Sequence, residues 1–344
     1  QNGHATVPHE AGSGRVRDHA TGWRAGLPLA ALNLLVLALA ITIVNPRAGQ
    51  STSLVVALLA FVVYYNLMSV GQSWTASGRI GLAGYVLGVH GSVFVLAALG
   101  LTIRHPEARN AFDPALYAAG IEALSVAERS DEVRSVVITG ADGVFSAGGN
   151  LQSLLARRQE GSEAQAQGVE ALHDWIETIR TYPKPVIAAV EGAAAGAGFS
   201  LALACDLVVA ARNAVFLMAY SNIGMSPDGG ASWNLGRALP RQLASEILLF
   251  GERLEPARLH ALGLVNRVAE PGQALNEALA LAQRLNDRAP NAMESIKELL
   301  SEAPYRTLTE QLAAERDQFV RNLQHPNAGE GIAAFLEKRD ARYQ

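Results

Sequence analysis

The chain has 344 residues and a formal net charge of −4, and its pI is near 6.1. This length is ample for two domains. The slightly acidic balance lacks the basic excess of nucleic-acid-binding proteins, so no nucleic-acid partner is expected. The one cysteine, Cys205, cannot form an internal disulfide, which fits a reducing compartment.

The N-terminal part divides into a polar lead, residues 1–26, and an apolar segment, residues 27–103. Arg47 and Arg79 are the only Asp, Glu, Lys or Arg residues of the apolar segment. We predict three transmembrane helices there, because three apolar runs are each long enough to cross a ~30 Å hydrocarbon layer. The runs are residues 27–44, 52–70 and 81–103. A buried helical hairpin in a soluble core is the alternative.

Three short segments of this region carry a resemblance: NPRAG from Asn45, FVVYYN from Phe61 and GQSW from Gly71. Residues 22–100 resemble the last three membrane helices of the lipopolysaccharide-export permease family. The resemblance implies an inner-membrane location, with the chain after Ile103 on the cytoplasmic side. The family's earlier membrane helices and its periplasmic β domain have no counterpart here, so transport by this chain alone is not expected.

Two strand-like runs further along end in turns built of very small residues. The run SVVIT from Ser135 is followed by FSAGGN from Phe145, and PVIAAV from Pro185 by EGAAAGAGFS from Glu191. A small-residue turn that opens a helix lets backbone N–H groups approach a ligand, so the pair could supply two donors to one carbonyl oxygen. For either turn alone, close packing of a helix on a sheet is the simpler interpretation.

Eight segments in a fixed order make the second part of the chain similar to a known family. From about Leu101 to the C-terminus it resembles the crotonase, or enoyl-CoA hydratase/isomerase, superfamily. The segments are LTIRHPEARNAF from Leu101, FSAGGNL from Phe145, PKPVIAAVEG from Pro183, the Gly/Ala turn after Glu191, ACDL from Ala204, IGMSPDGG from Ile223, ALGLVN from Ala261 and AFLEKR from Ala334.

The resemblance implies an α/β crotonase fold of repeated ββα units. We place the crotonase core at residues 104–273 and a C-terminal helical trimerisation region at residues 274–344, giving a homotrimer or hexamer. Crotonases open with a β-hairpin whose second strand is here reduced to about residues 99–104, so an incomplete sheet edge is expected. The chain is either a natural membrane-tethered enzyme or a fusion.

By the same resemblance, the substrate is an acyl-CoA thioester, with no permanently bound cofactor and no metal. The backbone N–H groups of Gly149 and Ala197 are the expected oxyanion donors. The residues expected to bind CoA are Ala108, Asn110, Ala111, Ser146, Ala147, Gly148, Asn150 and Leu151. Lys338 could approach a CoA phosphate, although a solvated helix charge is the simpler interpretation.

The acid/base positions depart from the hydratase pattern. Ser200 and Tyr220 stand where hydratases of the family carry two glutamates, so the two-glutamate hydration mechanism is not expected. Asp228 is the replacement candidate, because it resembles the aspartate of phenylacetate-pathway isomerases and aroyl-CoA dehalogenases. A cap for a helix starting near Gly229 is its alternative role. Glu191, which ends a strand, is expected to face solvent.

These observations predict an enzyme that transfers a proton or adds water at an enoyl-CoA and stabilises a thioester enolate. Phenylacetate-pathway and oxepin-CoA-hydrolase-like enzymes are the nearest members of the family by resemblance. The alternative from another class is a permease fragment of lipopolysaccharide export that carries a passive or catalytically dead crotonase.

Overall fold

The computed structural model describes residues 98–344, which lie in one compact unit, Ala97–Gln344. The predictions for the polar lead 1–26 and for the apolar runs up to residue 97 lie outside the described residues. Within residues 98–344, none of the helices combines the length and the apolar character that crossing a membrane requires.

The core of the fold is a five-stranded sheet in which every strand pair is parallel. Its order is β1-β2-β3-β5-β7, formed by Ala98–Ile103, Ser135–Gly140, Val186–Val190, Leu207–Ala211 and Arg267–Ala269. All five residues of β3 are buried. Continuous burial of β-branched and small residues is typical of a parallel sheet covered on both faces.

A second, two-stranded sheet lies at the carboxyl ends of the main strands. It pairs β4 (Ala193–Ala195) with β6 (Val215–Leu217) in parallel. Each of these short strands follows a main strand and precedes a helix, so the sequence β3-β4-helix repeats as β5-β6-helix. The predicted ββα repeat of the crotonase fold is therefore confirmed.

Eleven α-helices connect and cover the strands of residues 98–344. They are α1 (Pro114–Glu128), α2 (Leu151–Arg157), α3 (Ser162–Thr181), α4 (Ala197–Ala204), α5 (Ala231–Ala238), α6 (Arg241–Phe250), α7 (Pro256–Ala261), α8 (Ala274–Asn286), α9 (Pro290–Glu302), α10 (Leu308–Gln324) and α11 (Pro326–Glu337).

The first strand corrects the predicted end of the third apolar helix. Ala98–Ile103 is not helical; it pairs with β2 along its whole length, from Ala98 opposite Ser135 to Ile103 opposite Gly140. Pairing with β2 supplies partners for the backbone groups of this stretch, and Leu101 and Ile103 are buried. A transmembrane helix running from residue 81 to residue 103 is therefore wrong for its last six residues.

The predicted boundary at residue 274 cuts through the packed core. α8 begins at Ala274, and its Ala274, Ala278 and Ala282 are completely buried against strands β2, β3 and β5. Small side chains at every fourth position let this helix approach the sheet closely. α8 is thus part of the layer that covers the sheet.

The last three helices contact one another through polar side chains and expose apolar ones. Ser295 of α9 donates to Gln318 of α10 over 2.9 Å, and Asn322 donates to Ser295 over 2.8 Å. The exposed apolar residues of α9–α11 are Ile296, Leu300, Leu308, Leu312, Phe319, Val320, Leu323, Ile332, Phe335 and Leu336. An exposed apolar surface of this extent is typical of an association surface.

Candidate active site

The two small-residue turns lie against each other. The Ser146 N–H donates to the Ala193 carbonyl and the Ala195 N–H to the Ser146 carbonyl, both over 2.9 Å. Gly148 has a φ of +82°, and a Cβ there would stand 2.4 Å from the Ala195 oxygen and 3.3 Å from the Ala197 nitrogen. Only glycine allows this approach, which brings Gly149 and Ala197 together.

The backbone N–H groups of Gly149 and Ala197 donate to no acceptor within the described part of the chain. Ala197 is the first residue of α4, so its N–H has no intrahelical partner and lies at the positive end of the helix dipole. Two free, fixed N–H donors on neighbouring turns match the geometry that stabilises a carbonyl oxygen as it gains charge.

Buried polar side chains hold the first turn in place. Asn110, only 1% exposed, donates to the carbonyls of Ala141 and Val144 over 2.8 and 2.6 Å. The hydroxyl of Ser146 donates to the Asn110 carbonyl over 2.8 Å and accepts from the Gly148 N–H over 3.0 Å. Both residues were expected to bind CoA; their side chains satisfy the backbone of the turn itself, because buried polar groups require partners.

The other residues expected to bind CoA line the same edge of the molecule. The Phe112 N–H donates to the Gly148 carbonyl over 2.7 Å, and the Ala147 N–H donates to the Arg109 carbonyl over 3.0 Å. These bonds place the stretch 108–111 beside the stretch 146–151. Ala111 is buried, Leu151 is exposed, and Asn150 caps α2 by accepting from the Ser153 N–H.

Asp228 meets both residues that replace the glutamates. Its Oδ1 accepts a hydrogen bond of 2.5 Å from the Tyr220 hydroxyl, and its backbone carbonyl accepts one of 3.0 Å from the Ser200 hydroxyl. The capping alternative is wrong, because α5 begins after Gly230 and has no side-chain cap. The Asp228 carboxylate is instead oriented by the hydroxyl of Tyr220.

The tyrosine that holds Asp228 also contacts the oxyanion turn. The Tyr220 ring atom Cζ lies 3.5 Å from the position that a Cβ on Gly196 would take, next to Ala197. Tyr220 is 7% exposed, and burial, followed by the Asp228 charge, raises its pKa well above its usual range. The phenol therefore stays protonated at neutral pH and remains a donor.

An aromatic cluster beside Asp228 was missed from the sequence. Phe112, Tyr117 and Trp175 have ring centroids 5.6–6.0 Å apart. Burial, and then the charge of Asp228, raise the pKa of Tyr117. Phe112 belongs to a family-like segment, and Trp175 is buried, packed edge-on against Phe112. Tyr117 lies on α1 and no sequence motif marked it.

Three further expectations can be compared with the structure. Glu191 does not simply face solvent: its carboxylate accepts from the N–H groups of Gly272 and Ala274, over 3.2 and 2.9 Å, and so fixes the start of α8. Lys338 ends α11 with a φ of 56° and is exposed. No group of three or more possible metal ligands occurs among residues 98–344.

Comparison with known proteins identifies a family for the described part of the chain. Residues 97–344 match the family described as Enoyl-CoA hydratase/isomerase. The chain belongs to the enoyl-CoA hydratase/isomerase family. It is accordingly an enzyme of the enoyl-CoA hydratase/isomerase type, a family that acts on CoA thioesters without a permanent cofactor.

Several similar proteins cover nearly the whole enzyme part. The 1,2-epoxyphenylacetyl-CoA isomerase of Escherichia coli (strain K12) is 34% identical over 71% of this chain and 93% of its own length. The 2,3-dehydroadipyl-CoA hydratase of the same strain is 34% identical over 70% and 92%. The crystal structure of an enoyl-CoA hydratase from Polaromonas sp. JS666 has a TM-score of 0.72 and 66% identity, covering 72% of this chain and 96% of that one.

A different family matches the N-terminal part of the chain. Residues 13–104 match the lipopolysaccharide export system permease LptF/LptG family. This match overlaps the crotonase match at residues 97–104, which include all of β1. The two resemblances seen in the sequence are therefore both found, and they meet at the first strand.

Proposed function

We propose that this enzyme moves a proton between carbons of an enoyl-CoA, with Asp228 as the acid/base group. The single observation that carries the proposal is the hydrogen bond of 2.5 Å from Tyr220 to Asp228, beside the turn that carries the free N–H of Ala197. A carboxylate and an oxyanion site in this proximity are the two parts that enolate chemistry needs.

In an isomerisation, the Asp228 carboxylate removes a proton from C2 of a 3-enoyl-CoA. The electron pair of the C–H bond forms the C2=C1 bond of a dienolate, whose oxygen accepts hydrogen bonds from the N–H groups of Gly149 and Ala197. Asp228 then returns the proton to C4, and the double bond comes to rest between C2 and C3. Each fixed donor contributes about 3 kcal/mol to transition-state stabilisation.

Tyr220 and Ser200 have positioning roles in this mechanism. The Tyr220 hydroxyl fixes one oxygen of the carboxylate, and the Ser200 hydroxyl fixes the backbone that carries it. Neither residue can act as a carboxylate base. This arrangement favours proton shuttling by one aspartate over hydration by two glutamates. Hydration or ring hydrolysis through Asp228 is the second chemistry that the site can support.

The CoA moiety extends along the edge formed by residues 108–111 and 146–151. Ala108, Ala111, Ala147 and Gly148 offer backbone and little bulk, while Asn110 and Ser146 keep that backbone in shape. Leu151 and Asn150 begin α2 directly after the oxyanion turn. Lys338 would approach a CoA phosphate only from the exposed end of α11.

The exposed apolar faces of α9–α11 support assembly into a homotrimer or hexamer. Their inner contacts are polar, as in the bond from Ser295 to Gln318, and the apolar side chains of α10 and α11 face outward. Burial of apolar area drives such assemblies, which are usually symmetric. Analytical ultracentrifugation of the full chain should give a mass of three or six subunits; a monomer would contradict this assembly.

The match of residues 13–104 to the permease family supports a membrane anchor that keeps the crotonase part at the cytoplasmic face of the inner membrane. After carbonate extraction, the full chain should stay with the membrane pellet. Release into the supernatant would contradict the anchor. Retention without turnover of any enoyl-CoA would instead favour the permease fragment with a passive crotonase passenger.

The catalytic proposal is tested by an assay of the full chain with 3-hexenoyl-CoA and crotonyl-CoA, following the absorbance of the conjugated thioester. We expect conjugation to appear from 3-hexenoyl-CoA. Asp228→Asn should lower this turnover at least about a hundredfold, since a general base contributes 10²–10⁴-fold. Near-normal turnover in Asp228→Asn would remove Asp228 from the mechanism, and loss of conjugation from crotonyl-CoA would establish hydration instead.

A further inference from the structure

α2 leads away from the oxyanion turn with one face toward the site. Leu154 places its Cδ1 atom 3.4 Å from the position that a Cβ on Gly149 would take. Arg157 follows three residues later, in the last turn of the same helix. Because residues three apart share a helix face, Arg157 continues the side of α2 that Leu154 presents to the oxyanion turn.

The guanidinium of Arg157 rests against a glycine of α3. Its Nη1 lies 3.1 Å from the position that a Cβ on Gly168 would take, so a larger residue at position 168 would have to displace it. The Nε of Arg157 is buried and has no hydrogen-bond partner within residues 98–344. Arg157 also forms no ion pair with any carboxylate of those residues. A half-buried cation is thus left without an anion.

The same face of α3 leads from Arg157 to Asp228. Gly168 and Leu172 are four residues apart and share that face. The Cδ2 of Leu172 lies 3.5 Å from the position that a Cβ on Gly229 would take, directly after Asp228. Gly168 and Leu172 are about 6 Å apart along the helix axis, so Arg157 and the backbone after Asp228 contact neighbouring turns of α3.

The pKa of Tyr117 depends on charged groups at both ends of this path. Burial and the negative charge of Asp228 raise the pKa of its phenol, and Asp113 adds to this, whereas the positive charge of Arg157 lowers it. Tyr117 is thus influenced by the opposite charges of Asp228 and Arg157.

We propose that Arg157 selects acyl-CoA substrates whose short acyl chain ends in a carboxylate. The inference rests on the proposed function, since it takes Gly149, Ala197 and Asp228 as the reacting end. A guanidinium presents planar, paired N–H donors that match a carboxylate, and it binds an anion more strongly than a neutral oxygen. The distal carboxylate supplies the counter-charge that the described part of the chain does not give to Arg157.

The preferred chain is short, because Arg157 and the backbone after Asp228 contact neighbouring turns of α3. A six-carbon dicarboxylic acyl chain with C2 at Asp228 would direct its far carboxylate toward Arg157. A plain alkyl chain of the same length would leave the guanidinium unpaired.

The test compares the binding of adipyl-CoA and hexanoyl-CoA to the full chain by isothermal titration calorimetry. The two ligands have six-carbon acyl chains and differ at the far end. Wild-type protein should bind adipyl-CoA roughly tenfold or more tightly, the range expected for one hydrogen-bonded charge pair. In Arg157→Gln this preference should fall to near one. Arg158→Gln, which changes the exposed neighbouring cation, should retain it.

Two results would overturn the inference. One is equal affinity of the wild type for the two ligands, and the other is a preference that survives in Arg157→Gln. If Arg157 only stabilises the end of α2, both affinities and the unfolding temperature should fall together, with the ratio unchanged. Turnover of 3-hexenoyl-CoA by the same proteins tests the Asp228 chemistry separately, so the two proposals fail on different readouts.

Discussion

The site has two halves that are built in different ways. The oxyanion half is made of backbone, and its shape is set by residues such as Gly148 that leave no room for a side chain. The acid/base half is made of side chains, with Asp228 held by Tyr220 and Ser200. Backbone positions depend on the packing of the whole sheet, whereas one side chain can be exchanged for another without moving the backbone. We therefore expect exchanges of side chains, rather than of the turns, to change which reaction the site supports.

The largest effect is expected where the backbone half is broken. In Gly148→Ala the new Cβ would meet the Ala195 oxygen at 2.4 Å, and the φ of +82° disfavours alanine, so the turn must shift. Loss of one aligned donor costs 10²–10³-fold in kcat. We expect turnover of 3-hexenoyl-CoA to fall by at least about a hundredfold.

Gly143→Ala is the matched control for that variant. Gly143 also has a positive φ, +70°, but a Cβ there has nothing within 4 Å. Gly143→Ala should lose roughly 1 kcal/mol of stability from the backbone strain, measured by urea unfolding, and Gly148→Ala should lose more because of its clash with the Ala195 oxygen. Only Gly148→Ala should lose activity. Equal turnover in the two variants would show that the approach of the turns is not needed.

A partly exposed ion pair away from the site should affect stability alone. Lys297 of α9 pairs with Asp206 over 2.5 Å, and the Val186 N–H also donates to this carboxylate, over 2.7 Å. Lys297→Met removes the cation, while the partly exposed carboxylate keeps its bond from the Val186 N–H, so the unfolding free energy should fall by about 1 kcal/mol. The double variant with Asp206→Asn should recover part of the loss. A change in kcat without a change in stability would contradict this assignment.

The side-chain half is weakened, but not removed, by Tyr220→Phe. The Asp228 carboxylate then loses a charge-assisted hydrogen bond worth about 1.5–3 kcal/mol, so kcat should fall roughly 10- to 100-fold. Tyr182→Phe is the control, because the Tyr182 hydroxyl donates to the Leu124 carbonyl over 3.0 Å and not to a residue of the site. An unchanged kcat in Tyr220→Phe would mean that Asp228 needs no such positioning.

The sequence predicted the backbone half well, because a run of tiny residues directly after a buried strand strongly favours a tight turn into a helix. It also placed Ser200, Tyr220 and Asp228 in one site by resemblance. It missed the bond from Tyr220 to Asp228, since a hydrogen bond between residues eight apart in a loop leaves no periodic pattern. Arg157 was also missed, because its contact with Gly168 depends on how two helices pack and leaves no pattern in the sequence.

The errors occurred where local composition and tertiary structure disagree. Residues 98–103 continue an apolar run and were predicted to be helical, yet they form a strand that pairs with β2. Glu191 follows a strand and was expected to face solvent, yet its carboxylate accepts a hydrogen bond from the Ala274 N–H at the start of α8. Tertiary contacts decided each of these cases.

The most direct test of enolate chemistry at Asp228 is exchange of the C2 protons of butyryl-CoA with solvent deuterium, followed by mass spectrometry. This saturated thioester can only be enolised, so the exchange measures proton removal by Asp228 and enolate stabilisation by Gly149 and Ala197 without any later step. We expect deuterium to enter C2 in the wild type and to be lost in both Asp228→Asn and Gly148→Ala. Undiminished exchange in Asp228→Asn would contradict the assignment of Asp228 as the base.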